Sequence, residues 1–347
     1  MQRVRIHRPG GYDRLELERD FDPGSPGPGE VLVRVRAAGV NFADSAVRMG
    51  LYSSAKEYVG WPITPGFEFA GTIAQVGADV ASIATGDEVF GVVRFGAWSS
   101  HVVTRAELVR PLPAGLTMTQ AAGIPTVFLT AWYPLHALTR VRARDVVLVH
   151  SAAGGVGSAL VQLAKAAGCR VVGVVGAAHK VEVARGMGAD VVIDRSATDD
   201  VRRALEQAAP LGYDVVLDAN GGPSLRDSYE LLAPGGRLVV YGFHAMLPKG
   251  AGRPSWPRLA REWMRTPRFS PFRMVQENRS VLAFNLSYLF DRADVFQDAI
   301  DDIVGWLNEK RVHPLEVHAF PVDRVADAQR AIESGQTTGK LVLTFDD

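Results

Sequence analysis

The sequence predicts an α/β chain in two parts: a β-rich part and a doubly wound parallel sheet. Three observations predict it. Strand and helix patterns alternate from residue 146 to residue 241, which implies βαβ units and a parallel sheet covered on both faces. The run Ala152-Ala153-Gly154-Gly155-Val156-Gly157 stands between an apolar strand pattern and an Ala-rich helix pattern. The first third is instead turn-rich, with short alternating stretches.

In order along the chain, Val31–Ala37 alternates as a half-buried strand after the turn-rich Pro23–Gly29. Phe69–Val76 and Glu88–Val93 read as further strands, punctuated by Gly66, Gly71, Gly77, Gly86 and Gly91. Near Thr119 the texture turns helical. Strands are then expected at Val146–His150, Val171–Val175, Val191–Ile193, Val215–Leu217 and Leu238–Tyr241. Helices fall between them, including Val156–Ala167, Lys180–Met187 and Leu225–Leu232. A less regular stretch follows Gly242, and a helix-rich tail runs from Ala293 to a closing strand, Lys340–Phe345. That strand is expected to return to the β-rich part, because the parallel sheet is complete without it. No internal repeat is found.

Composition narrows the function classes. The 347 residues suffice for two domains, and 47% of them are apolar. A formal net charge of +0 argues against broad electrostatic capture of nucleic acid or anionic membrane. Cys169 is the one cysteine, so neither a disulfide framework nor a cysteine-built metal site is expected. Met1–Ile6 is too polar for a signal peptide and no apolar run approaches a transmembrane span. The expectation is a soluble, cytoplasmic protein.

The glycine run carries the chemistry. The backbone has to bend sharply from strand to helix and then approach a charged pyrophosphate, which the free N–H groups and partial positive charge of a helix N-terminus attract. As a dinucleotide fingerprint, Ala152 takes the first glycine place, Gly154 the second and Gly157 the third. The alternative is a tight βα turn without a ligand. The acid that binds the ribose 2′-hydroxyl of NAD about 20 residues past such glycines is missing from Val174–Lys180.

From residues Ala38–Asp44, Pro65–Gly71, Gly86–Val89, His150–Gly157 and Gly339–Leu343, the chain resembles the zinc-independent medium-chain dehydrogenase/reductases. The likeness is to the quinone oxidoreductase (zeta-crystallin) type, running nearly end to end. The segment Met246–Leu289 carries a closer likeness to members of the vesicle amine transport protein 1 type. The resemblance implies a GroES-like β-rich catalytic domain (residues 1–121 and 286–347) around a Rossmann domain (122–285) with a basic insertion at 246–279. A homodimer is implied by the same analogy. Zinc members have Cys where Asn41 stands and His where Phe67 stands, and their structural lobe needs four cysteines. A catalytic zinc needs about three N, S or O ligands, so no metal is expected.

The resemblance also implies site residues. Ala153, Gly154, Gly155, Val156 and Gly157 hold the pyrophosphate. Lys180 and Arg195 stand where family members hold cations or Tyr against the 2′-phosphate; with the acid missing, the expected cofactor is NADPH. Solvated surface cations are the competing reading. Tyr241, Gly242, Phe243 and Asn285 (with Leu286) are expected at the cofactor, Thr130 near the nicotinamide with Thr126 in the same helix, and Lys340 either reaching the cofactor from the last strand or standing as an ordinary strand-edge lysine. Asn41 lines the cleft and donates its amide to an acceptor carbonyl, unless it only stabilises a turn. Asp44 caps a helix. Tyr52 matches a tyrosine proposed as proton donor in enoyl-thioester reductases, and also reads as a packing or gating aromatic.

Three functions stay open. The first is NADPH-dependent reduction of a small-molecule acceptor, a quinone or an α,β-unsaturated carbonyl. The second is reduction of an enoyl thioester on CoA or an acyl carrier. The third is a low-activity NADPH-binding adaptor. Lys249, Arg253, Arg258, Arg261, Arg265, Arg268, Arg273 and Arg279 crowd one stretch, interleaved with Trp256, Trp263, Phe269 and Phe272. This segment reads as a substrate lid or dimer contact, a solvated helix, or a docking face for an acidic partner.

Overall fold

The structure, a computed structural model, describes residues 1–247 and 252–346; Lys249 of the basic stretch lies outside them. The chain divides into two compact units. One comprises Met1–Leu129, the stretch containing Gly252, and the chain from Leu286 onward; the other comprises residues 130–247 and 255–285.

The first unit begins with β1 (Gln2–Arg5), β2 (Glu16–Arg19), β3 (Glu30–Val40), α1 (Phe42–Arg48) and α2 (Ser53–Tyr58). It continues with β4 (Glu68–Val76), β5 (Glu88–Val92), β6 (His101–Arg105), β7 (Val109–Pro111), α3 (Met118–Ala122) and the start of α4 (Pro125–Trp132). The second unit holds β8 (Val146–His150), α5 (Gly155–Ala166), β9 (Arg170–Val175), α6 (Val181–Gly186), β10 (Val191–Asp194), α7 (Val201–Ala208) and β11 (Tyr213–Asp218). It closes with α8 (Ser224–Glu230), β12 (Leu232–Val240), α9 (Trp256–Arg265), α10 (Pro271–Glu277) and β13 (Ser280–Ala283). The chain then returns to the first unit with α11 (Ala293–Asn308), β14 (Val317–Pro321), α12 (Val325–Ser334) and β15 (Lys340–Thr344).

In the second unit the sheet order is β10-β9-β8-β11-β12-β13, every pair parallel. This is the doubly wound order that reverses between its first and fourth strands. Val147, Leu148 and Val149 are all fully buried because helices cover both faces, which explains their unbroken apolar run. Tyr213 is also fully buried and donates its hydroxyl to the Leu205 carbonyl at 2.9 Å, so its polar end is satisfied.

The sheet of the first unit runs β14-β15-β3-β4-β5-β7, with β6 also paired to β3. The closing strand β15 thus joins the β-rich unit, as expected, lying antiparallel to β3 with Leu341 opposite Val40. Val31, Val33 and Val35 point inward from β3 into a core with Phe69, Trp98 and Leu343. The indole of Trp98, fully buried, donates to the Gly39 carbonyl at 3.0 Å.

A buried charge network ties α1 to α12. Arg48 is fully enclosed, its guanidinium 2.5 Å from Glu333 and donating to Gln329 and the carbonyls of Gly10 and Gly252. Tyr12 donates to the other Glu333 oxygen at 2.5 Å, and burial with that bond pushes its phenol up to about 12. Breaking a buried pair from one side leaves an uncompensated charge. Arg48→Met is therefore expected to cost about 3–5 kcal/mol of stability, and Arg48→Met/Glu333→Gln markedly less; urea unfolding of the two variants checks this.

Candidate functional site

The nucleotide turn is built from backbone constraints. Ser151 takes a left-handed conformation (φ 57°), and the Ala152 N–H donates to the Val174 carbonyl at 3.0 Å, fastening the turn to β9. A Cβ on Gly157 would lie 2.1 Å from the Ser151 carbonyl oxygen, so only glycine lets α5 pack this close to the end of β8. Gly154 differs: a Cβ there would meet only the Ser151 oxygen, at an ordinary 3.4 Å. Its φ of −81° is open to any residue. The packing of the turn therefore does not require glycine at 154, whereas close approach of a pyrophosphate does. Ala153 is buried beneath the turn, and Gly155 and Val156 begin α5 with their N–H groups outside the helical ladder. The turn fits a dinucleotide.

Past the ends of β9 and β10 stand the two cations. The Arg195 guanidinium lies against Gly176, where a Cβ would come within 3.2 Å of its Nε and Nη2. Burial, and then the Arg195 charge, hold the Lys180 ammonium below its ordinary range. Two like charges this close oppose each other, and a doubly charged anion between them removes the opposition.

The carboxyl ends of β8 and β11 are cross-linked through Asp218, a residue sequence reasoning missed. Fully buried at the end of β11, it accepts from the Asn220 and Gly221 N–H groups at 2.7 and 3.1 Å. It also accepts from Ser224 Oγ at 2.9 Å and Ser228 Oγ at 2.8 Å. Ser228 Oγ meets His150 Nε2 at 3.0 Å, joining the ends of β8 and β11. Burial presses His244 down to about 4 against the pull of Asp218, so this imidazole is neutral near pH 7. Tyr241 and Gly242 follow β12. Burial and Asp218 raise the Tyr241 phenol, and its ring stacks on Phe284 with centroids 6.1 Å apart. Phe243 is 47% exposed, while Asn285 directly follows the β13–Phe284 run and is half-buried. Thr130 lies in α4, half-buried. The lone acid Asp218 at a strand end was the only sequence signal for this network.

In the first unit, Asn41 immediately precedes α1 and is 8% exposed. Its Nδ2 donates to Glu68 Oε1 at 2.9 Å, and its Oδ1 accepts from Lys340 Nζ at 2.5 Å. Lys340 also pairs with Glu68 at 2.6 Å, and the Thr126 N–H donates to Glu68 Oε2 at 2.7 Å. The structure thus places Lys340 beside Asn41 and Glu68. Glu68 is not among the site residues expected from the sequence. Phe67, next to it, packs in an apolar cluster with Ile6, Val47, Ala55 and Ile63. Tyr52 sets its ring edge-on to Phe67 at 5.9 Å and to Phe95 at 6.3 Å. An amide engaged on both sides and a packed aromatic ring are not zinc ligands, and the donor set does not fit that metal.

Asp44 reaches back to the Asn41 N–H at 2.8 Å and takes the Gly66 N–H at 3.0 Å, the helix-capping part expected of it. Complete burial pushes its carboxyl up to about 7, against the pull of these bonds and Lys340. Between about pH 4 and 7 the folded chain therefore keeps a proton that the unfolded chain has lost, and stability falls as pH rises through that window. The contribution is on the order of 4 kcal/mol at most. Asp44→Asn is expected to flatten this part of the stability–pH curve, measured by urea unfolding at successive pH values.

The basic stretch is partly self-neutralised. Arg273 pairs with Glu277 at 2.7 Å, and Arg261 and Arg265 lie 3.7 and 3.8 Å from Glu262. In helix α9, Glu262 is buried and Arg258 donates to the Ala245 carbonyl at 3.0 Å, while Trp256 and Trp263 are 69% and 65% exposed. Cys169 is buried, its thiol raised to about 11 by burial and by Asp145, consistent with a structural part. Among the described residues no helix is long and apolar enough to cross a membrane.

Residues 27–114 match the Alcohol dehydrogenase GroES-like domain, and residues 155–303 match the Zinc-binding dehydrogenase family. The chain belongs to the medium-chain dehydrogenase/reductases, in their zinc-independent, quinone oxidoreductase-like branch; the larger family binds NAD(P)H. Within it the chain is 34% identical over 335 residues to the rat synaptic vesicle membrane protein VAT-1 homolog, covering 96% of this chain and 81% of that protein. Escherichia coli quinone oxidoreductase, solved with NADPH, superposes with a TM-score of 0.85 at 26% identity, covering 99% of this chain and 100% of the other. The CurK enoyl reductase gives 0.84 at 27% identity over 99% of each chain.

Proposed function

We propose that this protein is an NADPH-dependent, metal-free reductase of a small electron-poor acceptor, a quinone or an α,β-unsaturated carbonyl. The observation that carries the reading is the Asn41 amide, held by Lys340 and Glu68 at the position where zinc members place a metal ligand. NADPH, when bound, supplies the hydride. Gly154–Gly157 receives its pyrophosphate, Lys180 and Arg195 its 2′-phosphate, and Tyr241, Gly242, Phe243, Asn285 and Thr130 border its nicotinamide half. Addition of hydride to the β-carbon of an enone moves an electron pair onto the carbonyl oxygen. Asn41 donates to that oxygen, and a proton completes the product. Tyr52 takes the packing part, its ring walling the acceptor side with Phe67 and Phe95. Tyr52→Phe is accordingly expected to keep kcat within about threefold, since loss of a true general acid costs about 10²–10⁴.

Likeness to an enoyl reductase over the whole chain favours a second reading, an acyl chain held as a thioester. NADPH consumption across phenanthrenequinone, small cyclic enones and crotonyl-CoA separates the two. Turnover of the quinone or enones supports the first, and turnover of crotonyl-CoA alone replaces it with the second. NADPH binding without turnover of any acceptor contradicts both and leaves a nucleotide-binding adaptor.

A further inference from the structure

Three neighbouring strands bring Lys340, Glu68 and Asn41 together. β15 lies antiparallel to β3 with Leu341 opposite Val40, so Lys340 arrives opposite Asn41. β4 lies on the other side of β3 with Phe69 opposite Ala38, which brings Glu68 across from Gly39. A Cβ on Gly39 would stand 2.1 Å from Glu68 Oε1, so the glycine leaves the space the carboxylate occupies. The result is a nearly closed set: Glu68 is 0% exposed, Lys340 3% and Asn41 8%. A buried ion pair is a poor source of stability, since desolvation offsets most of its attraction. What this pair does achieve is to determine the Asn41 amide. With Lys340 on Oδ1 and Glu68 on one Nδ2 hydrogen, a flipped amide would set NH2 against an ammonium and a carbonyl oxygen against a carboxylate. The cation on Oδ1 also draws electron density from Nδ2, making its second N–H a stronger donor.

We propose that Lys340 and Glu68 are positioning residues: the pair fixes and polarises Asn41 so that its remaining Nδ2–H meets the acceptor oxygen. Lys340 then serves Asn41 and is not a ligand of the cofactor. The inference rests on the reading of Asn41 as the acceptor's hydrogen-bond donor.

The test compares Lys340→Met, Lys340→Arg and the double variant Glu68→Gln/Lys340→Met, which removes both charges and spares the fold an unpaired buried carboxylate. Three quantities are read: kcat and KM with the best acceptor, NADPH affinity by fluorescence titration, and the side-chain amide resonance of Asn41 in ¹⁵N-asparagine-labelled protein without cofactor. Lys340→Met is expected to lower kcat about tenfold or more, a part of what loss of a whole oxyanion donor costs. NADPH affinity stays unchanged and the Asn41 resonance moves. Lys340→Arg restores most of kcat. The double variant regains thermal stability but not kcat. A double variant with wild-type kcat, an unmoved Asn41 resonance, or a loss of NADPH affinity matching the loss of kcat/KM would each overturn the proposal. If the wild type reduces no acceptor, the reductase reading fails by itself, while the resonance still reports whether Lys340 determines the amide.

Discussion

Replacing Lys180 and Arg195 together by Ala is expected to weaken NADPH binding by about two to four powers of ten, because each charge-assisted contact is worth roughly 1.5–3 kcal/mol. NADH, which lacks the 2′-phosphate, should change by less than about threefold, which is about 0.6 kcal/mol on the same scale. The structural basis is the pairing of the two cations past β9 and β10: the Arg195 charge adds to burial in lowering Lys180, and a bound dianion would offset that repulsion. Each single variant should lose about ten- to a hundredfold, and raising the salt concentration should narrow the NADPH preference by screening. Fluorescence titration with both cofactors decides it. Equal losses for NADPH and NADH would mean that the cations do not read the 2′-phosphate.

The second large effect belongs to Asn41. Asn41→Ala removes the side-chain amide proposed to meet developing charge on the acceptor, and kcat is expected to fall by about 10²–10³ with NADPH affinity unchanged. The fold should survive, because the Lys340–Glu68 pair at 2.6 Å and the Asp44 bond to the residue-41 N–H both persist without the side chain. Asn41→Asp should be as inactive and less stable, since it brings a second carboxylate beside buried Glu68. A loss confined to KM would assign Asn41 to ordinary acceptor binding.

How far the sequence went follows from which signals are local. The strands β8, β9 and β11 were readable because fully buried parallel strands are continuous apolar runs, and the nucleotide turn because its glycines answer to steric demands a few residues away. β13 and β14 were not delimited: Ser280–Ala283 is half-exposed, and Val317–Pro321 mixes His and Pro into an edge strand, so neither shows a clear period. The turning of α9 was unreadable for another reason. Arg258 donates to the Ala245 carbonyl and Glu262 is buried, which leaves Trp256 and Trp263 on the exposed side with Arg261 and Arg265. At the reacting end, Asn41 was legible as a departure from the zinc pattern. Its setting was not, because Glu68 lies 27 residues away and Lys340 299, and only the register of β15, β3 and β4 unites them. Lys340, expected at the cofactor from the sequence, is hydrogen-bonded to Asn41 Oδ1 in the folded chain.

The central claim is that NADPH and the Asn41 end together reduce a small acceptor without a metal. Its most direct test is NADPH consumption by chelator-dialysed protein, with and without added zinc, in the presence of a quinone or cyclic enone. The account predicts acceptor-dependent oxidation of NADPH at a rate that dialysis leaves unchanged and added zinc does not raise. A rate that vanishes on dialysis and returns with zinc, or no oxidation above the acceptor-free control while NADPH still binds, would contradict it.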